Sequence, residues 1–326
     1  MPLSQKGDDT MKYALKRILQ FVLTMVIVSL LAFVAFDMIS GDPATALLGT
    51  EATPEKIAAL REEMGLNRPL LVRYGEWLTG FFTGDLGTSY VYHQSVWEII
   101  APKIAATLLL SLVSFVMIVL VSIPLGLLSA RRSGGALEAV GSSFNQFCMA
   151  VPPFFTGMIL SYVFGILLKW FMPGNFPSLS TDLGGAMRHI FFAAIAISIP
   201  RIAMTVRMLK STIQAEMRKD YVRTAISRGN DRSAVLRRHV LKNALVPVVT
   251  FLAQTMAEIV AGGIVVEQVF AIPGLGRMLV SSISNRDYPV VQAIVVILAL
   301  WVVLSGAVAD LINQRIDPRL RLGGNK

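Results

Sequence analysis

The chain has 326 residues, of which 54% are hydrophobic and only 16% charged, with a mean hydropathy of +0.61. Soluble globular domains carry about 25% charged residues, so a single water-soluble core is excluded and a polytopic membrane protein is indicated. The formal net charge of +9 lies in segments between apolar runs, which marks topology-setting loops rather than a nucleic-acid surface, and the single cysteine, Cys148, excludes a disulfide or thiolate-metal framework.

Residues 1–17 carry Lys6, Lys12, Lys16 and Arg17 and read as a cytoplasmic N-terminal segment. Ile18–Phe36 follows without a charge. Its length fits the roughly 20 residues a membrane helix needs and exceeds the apolar region of a cleaved signal, about 7–15 residues, so an uncleaved first span (18–36) is expected.

Residues 37–102 hold nine acids (Asp37, Asp42, Glu51, Glu55, Glu62, Glu63, Glu76, Asp85, Glu98) against four bases (Lys56, Arg61, Arg68, Arg73) and read as an extracytoplasmic loop. Within it Thr53-Pro54-Glu55 predicts a helix start, with Thr53 as N-cap and Pro54 in the first turn. Lys56–Met64 forms the helix, and Gly65 stops it. Gly84–Gly87 predicts a tight turn. The loop as a whole reads as a small folded cap.

The core, 103–313, holds five more apolar runs: Ile104–Ala130, Ala139–Leu168, His189–Val206, Asn243–Val266 and Tyr288–Ala309. Together with the first span they predict an all-α bundle of about six transmembrane helices. Pro124 and the Pro152–Pro153 pair are expected to kink their helices. Ala139–Leu168 is long for one span, so its first third reads as interfacial, with the span starting near Cys148. A cytoplasmic tail, 314–326, carries Arg315, Arg319, Arg321 and Lys326. With Arg131 and Arg132 in the second inner loop, the charges alternate as two cytoplasmic termini require.

The strongest charge bias lies between the fourth and fifth spans. Arg207–Lys242 holds ten Lys/Arg (Arg207, Lys210, Arg218, Lys219, Arg223, Arg228, Arg232, Arg237, Arg238, Lys242) against three acids (Glu216, Asp220, Asp231) and should be cytoplasmic. It predicts a helix-turn-helix. Met208–Arg228 extends the fourth span, Gly229 supplies a positive φ, and Asn230 or Asp231 caps a second helix, Arg232–Lys242. Ala225 and Gly229, four apart, allow another surface to approach closely. The plain alternative is a solvated basic loop that only sets topology.

Two charges fall inside spans: Arg201 in the fourth and Glu258 in the fifth. Such groups are costly in a bilayer, at least about 2.5–3.5 kcal/mol each on insertion scales. They either line a pore, touching the solute or pairing as a gate, or form a structural pair or snorkel to the interface. Gly157 and Gly262-Gly263 read as sites of close helix packing. No Gly is followed by Lys, so a phosphate-cradling loop is absent. His93, His189 and His239 are scattered rather than grouped with metal-ligand spacing. No motif of a membrane enzyme is present.

With these features in place, the chain resembles the integral membrane permease subunits of binding-protein-dependent ABC importers, in the dipeptide/oligopeptide/nickel branch. GDP (Gly41–Pro43), LREEMGLNRP (Leu60–Pro69) and GDLGTS (Gly84–Ser89) resemble that branch's first loop. VEQVFAIPGLGRML (Val266–Leu279), NRDYP (Asn285–Pro289) and IDPR (Ile316–Arg319) extend the likeness along the chain. The family's cytoplasmic signature, Glu-Ala-Ala, three residues, Gly, is matched by Arg223-Thr224-Ala225 and Gly229, with the Glu and first Ala replaced; the usual proline falls late, at Pro247.

The resemblance implies a type I ABC importer permease fold in a bacterial or archaeal inner membrane. It implies that this subunit forms half of an alternating-access pathway for di- or oligopeptides, with a nickel or metal-chelate cargo as the alternative within the family. A non-transport scaffold or sensor is the alternative outside it. The implied partners are a second homologous permease, two ATP-binding subunits and an extracytoplasmic solute-binding protein. ATP and Mg would be held by those partners, with no cofactor in this chain. Coupling to the ATPase is implied for Tyr221, Arg223, Thr224, Ala225, Arg228, Gly229 and Arg232.

Overall fold

The computed structural model describes residues 19–35, 43–49, 52–131 and 135–316. The N-terminal segment, Gly41 and Asp42 of the GDP motif, Arg132 and the tail from residue 317 lie outside them. Among the described residues every regular element is helical, apart from one isolated bridge, Thr88–Ser95. The all-α expectation therefore holds. The chain divides into two compact units, Met1–Ile104 with Met278–Val303, and Ala105–Arg277 with the residues from Leu304 onward.

In the first unit the apolar helix α1 spans Leu19–Ala35. It is followed by α2 (Pro43–Leu48), α3 (Pro54–Glu63) and α4 (Leu70–Thr83). α3 starts where the sequence says it should: Thr53 Oγ1 accepts the Lys56 N–H at 3.3 Å, with Pro54 in the first turn. α4 is a helix that the sequence reading missed. Gly75 and Gly80 interrupt its propensity, and it forms because its apolar side packs on α1. It stops at Gly84, whose φ of +87° is open to glycine. Asp85 Oδ1 then accepts the Gly87 N–H at 2.9 Å, closing the expected turn.

Helix α5 (Val96–Arg131) runs 36 residues, helical through Pro124. That is about 54 Å, well over the roughly 30 Å hydrocarbon core. Next come α6 (Ala136–Ala150) and α7 (Pro153–Leu160), the latter continued by a π-helical stretch, Ser161–Leu167. These two make a 96° bend at Val151–Pro152, where Pro152 lacks an amide hydrogen to carry the ladder on. The third expected span is thus two short helices, with Cys148 in the first; its second limb begins at Pro153, not near Cys148. Helix α8 (Leu183–Glu216) contains Pro200. A short α9 (Asp220–Ser227) and α10 (Arg232–Val235) follow, and α10 passes through a π turn into α11 (Leu241–Val269). The chain continues with α12 (Leu275–Ser284) and α13 (Tyr288–Ile316).

Among the described residues four helical stretches are long and apolar enough to cross a membrane, α5, α8, α10–α11 and α13, and the bent pair α6–α7 makes a fifth if its two limbs count as one span. The 17 described residues of α1 are apolar and fall where the first span is expected. The core of the second unit is built on α8, where Ala193, Ala194 and Ala196 are fully buried. Small side chains there let α7 and α11 come close. Gly157 belongs to the same packing: a Cβ on it would lie 3.2 Å from Phe270 and 3.7 Å from Ala196. Gly262 does not, because nothing within 4 Å faces it. A run of rings closes one end of this core, Phe164–Phe192 at 4.7 Å, Phe192–Phe171 at 5.2 Å and Phe171–Phe270 at 5.8 Å.

Candidate functional site

The basic loop forms a built turn rather than a solvated tether. α8 ends at Glu216, twelve residues earlier than a continuous Met208–Arg228 helix would. Its carboxylate accepts from Lys219 Nζ and, at 2.8 Å, from Tyr221 Oη. Tyr221 Oη also accepts from Asn243 Nδ2 at 3.4 Å, so one phenol ties the end of α8 to the start of α11. Burial, reinforced by Glu216, raises the Tyr221 phenol above its ordinary value. The Glu216 hydrogen bond raises Lys219 in the same way. Both groups keep their protons at neutral pH.

Helix α9 buries Val222 and half-buries Ala225, while Arg223, Thr224, Ile226 and Arg228 face outward. The helix closes as glycine permits. Gly229 has φ of +85°, its N–H reaching Ile226 O at 2.9 Å, and Asn230 Nδ2 donates to Ala225 O at 3.0 Å. Asp231 then caps α10, accepting from Ser233 N at 2.9 Å and Ala234 N at 3.3 Å. The second helix does not end at Lys242; from Arg232 it runs on to Val269. The rigid extension of the loop therefore belongs to the fifth span, and the fourth is jointed at residues 217–219.

The residues singled out from sequence thus divide. Arg223, Thr224, Arg228, Gly229 and Arg232 form an exposed tip. Tyr221 and Ala225 hold the loop together from inside. Arg223 lies 3.7 Å from Asp220, with both side chains largely in solvent, whereas Arg228 and Arg232 make no side-chain ion pair among the described residues. Ile226, 42% exposed between these arginines, was missed. Its signal was an isoleucine four residues from the buried Val222 that the core does not absorb.

Arg201 of α8 and Glu258 of α11 meet: Arg201 Nη1 donates to Glu258 Oε2. Their side chains are 26% and 50% exposed, so the pair lies at the edge of the packed unit rather than in its centre. A cavity of about 800 Å³ opens between α5, α6 and α8, with the Lys210–Glu138 pair (2.6 Å) at its rim; neither Arg201 nor Glu258 lines it.

Two further polar knots join motifs far apart in sequence. In the second unit Glu267 is 1% exposed. It accepts from Thr107 Oγ1 at 2.6 Å and from Arg277 N at 3.0 Å, while Thr107 Oγ1 accepts from Leu275 N at 2.8 Å. A buried carboxylate thus meets the free amides at the start of α12, where the helix dipole favours it. In the first unit Asp287 is fully buried and accepts from Ser89 Oγ at 2.5 Å and Tyr90 N at 3.0 Å. Burial raises the neighbouring Tyr90 phenol. GDLGTS and NRDYP are therefore two halves of one joint.

Comparison with known proteins places this architecture. Residues 122–322 match the family "Binding-protein-dependent transport system inner membrane component", and residues 10–113 match the N-terminal region of the same kind of component. An oligopeptide transport system permease protein, AppB of Bacillus subtilis, is 35% identical over 94% of this chain and 98% of its own length. A protein of Sinorhizobium fredii named as a probable peptide ABC transporter permease, y4tP, is 33% identical over 95% of this chain and 99% of its own. A glutathione transport system permease protein, GsiC of Salmonella choleraesuis, is 33% identical over 95% and 99%. With two family matches covering nearly its whole length and relatives above 30% identity throughout, the chain belongs to the multi-pass inner membrane components of binding-protein-dependent transport systems.

Proposed function

We propose that this chain is the permease subunit of an ATP-driven peptide importer, and that the exposed tip of α9 and α10 is where an ATP-binding subunit docks. The observation that carries the substrate class is the alignment, over almost the whole chain, with relatives named for peptide, oligopeptide and glutathione transport. A second homologous permease completes the pathway, two ATP-binding subunits hydrolyse ATP with Mg, and a solute-binding protein delivers cargo. The positive-inside bias favours both termini and 207–242 in the cytoplasm and 37–102 outside.

The coupling assignment draws on the chemistry of the tip. Ile226 offers an apolar contact, ringed by Arg223, Arg228 and Arg232. An apolar centre with a charged rim suits a protein partner carrying acids. A push on this tip enters α10 and passes without a helical break into α11, while the joint at 217–219 lets α8 stay behind. Such a lever, biased by ATP binding elsewhere, is what alternating access requires.

Gly229→Glu tests this. A Cβ at Gly229 meets nothing within 4 Å, so within the chain the change costs only positive-φ strain, about 1–2 kcal/mol. The expected result is normal membrane abundance with loss of peptide uptake and weakened co-purification of the ATP-binding subunit. Normal uptake by the Glu variant removes the coupling assignment.

A further inference from the structure

Helix α4 presents more apolar surface than the first unit covers. At about 100° per residue, Arg73, Glu76, Thr79 and Thr83 fall on one side. Leu71, Tyr74, Trp77, Leu78 and Phe82 fall on the other. One part of that apolar arc is docked on α1. Tyr74 is buried, its hydroxyl 2.9 Å from Ser29 Oγ and 3.3 Å from Val26 O, and Phe33 meets the rings of Tyr74 and Trp77 at 5.6 and 6.3 Å. The other part is bare: Leu71 is 74% exposed and Phe82 80%.

We propose that α4 is an interfacial helix, lying at the membrane surface with Leu71 and Phe82 in the boundary between acyl chains and headgroups. Three observations commit this face to lipid. First, the helix it docks on is itself apolar and turns Leu23, Ile27 and Leu31 outward, 56%, 47% and 63% exposed, so α4 is fastened to a helix that already needs an apolar solvent. Second, the docking contacts run from Val26 to Phe33 of α1. At 1.5 Å per residue this is a stretch of about 10 Å along the helix. A tyrosine reaching down from a surface helix buried about 5–10 Å deep covers that distance. Third, the polar side is equipped for headgroups. Arg73 folds over the Phe33 ring at 5.6 Å, and Glu76 is clamped by Arg68 at 2.8 and 3.1 Å, so neither charge has to enter hydrocarbon. The loop is thus moored to the membrane at its middle rather than suspended in water.

The test uses spin labels on single cysteines at Leu71, Phe82 and Thr79, each in a Cys148→Ala background, in the assembled transporter in lipid nanodiscs. Leu71 and Phe82 are exposed, so a cysteine there removes little packing. Labels at Leu71 and Phe82 are expected to relax with oxygen and not with a water-soluble nickel chelate, and the Thr79 label to do the reverse. Nickel access at Leu71 and Phe82 places the face in water and overturns the proposal. Exclusion of both reagents places it under protein, a partner subunit or second copy, and overturns it equally.

Discussion

The Glu267 knot makes a selective-rescue prediction. Gly274 does not take a positive φ, so alanine is allowed there by the backbone, but an added Cβ would overlap the Glu267 carboxylate, whose Oε1, Cδ and Oε2 are its three nearest atoms. Overpacking of this kind costs about 1–3 kcal/mol. Glu267→Ala removes the acceptor for the Thr107 hydroxyl and the Arg277 N–H. Each donor left unsatisfied in the interior costs about 1–3 kcal/mol, so that change alone is expected at about 2–6 kcal/mol. In Glu267→Ala/Gly274→Ala the overlap disappears with the carboxylate, and the double variant should be no less stable than Glu267→Ala. The coupling is then about 1–3 kcal/mol in the favourable sense, within the range of contacting residues. Gly276 is the control: its Cβ would lie 2.5 Å from Ile264 Cα, which is backbone and stays in place whatever stands at 267, and 2.9 Å from Glu267 Oε2, so losing the carboxylate relieves only the lesser overlap. Gly276→Ala should therefore gain less from Glu267→Ala than Gly274→Ala does. Thermal unfolding of the purified transporter, with membrane abundance beside it, reads all five variants. Additive losses in the Gly274 pair, or equal rescue of Gly276→Ala, refute the packing argument.

Arg201→Leu or Glu258→Leu alone should lower uptake or abundance, while the double variant recovers part of the loss, because each single change strands a charge in low dielectric; a double variant as poor as the worse single shows separate solute contacts instead. With Cys148 replaced, a cysteine at Thr53 should react with an impermeant maleimide in intact cells and one at Ser233 should not; labelling of Ser233 without Thr53 inverts the topology. Ser89→Ala leaves Asp287 with the Tyr90 amide alone, a loss of about 1.5–3 kcal/mol for a hydrogen bond to a charged group. It should raise the protease sensitivity of residues 84–95, and unchanged sensitivity shows that the joint does not hold that loop.

The sequence was most legible where one residue type has one physical use. The helix start at Thr53-Pro54, the turn at Gly84–Gly87, the left-handed Gly229 and the Asp231 cap all follow from local backbone chemistry. The long apolar runs that became α5, α8, α11 and α13 were legible from length and charge. What was not legible depends on packing over distance. The end of α8 at Glu216 is set by a network with Lys219, Tyr221 and Asn243, and no local breaker marks it. α4 needs α1 to form, so its own glycines hid it. Arg201 and Glu258 were visible as anomalies, and only the relative rotation of α8 and α11 shows that they pair. Glu267 lay in plain view inside a quoted motif. Nothing in the motif says that its carboxylate turns inward to meet an amide ten residues on.

The joint between Ser89 and Asp287 has a consequence in time. The two residues are 198 positions apart, and the first unit is assembled from both ends of the interval between them. At about 5–20 residues per second on the ribosome, Ser89 waits roughly 10–40 s before its acceptor exists. Throughout that interval the segment holding Ser89 and Tyr90 has no Asp287 to fasten it. Release of the nascent chain before α13 begins leaves that segment permanently unfastened, however well the helices already inserted have packed. Closure of the 84–95 segment therefore comes late in synthesis, after residues up to 287 exist.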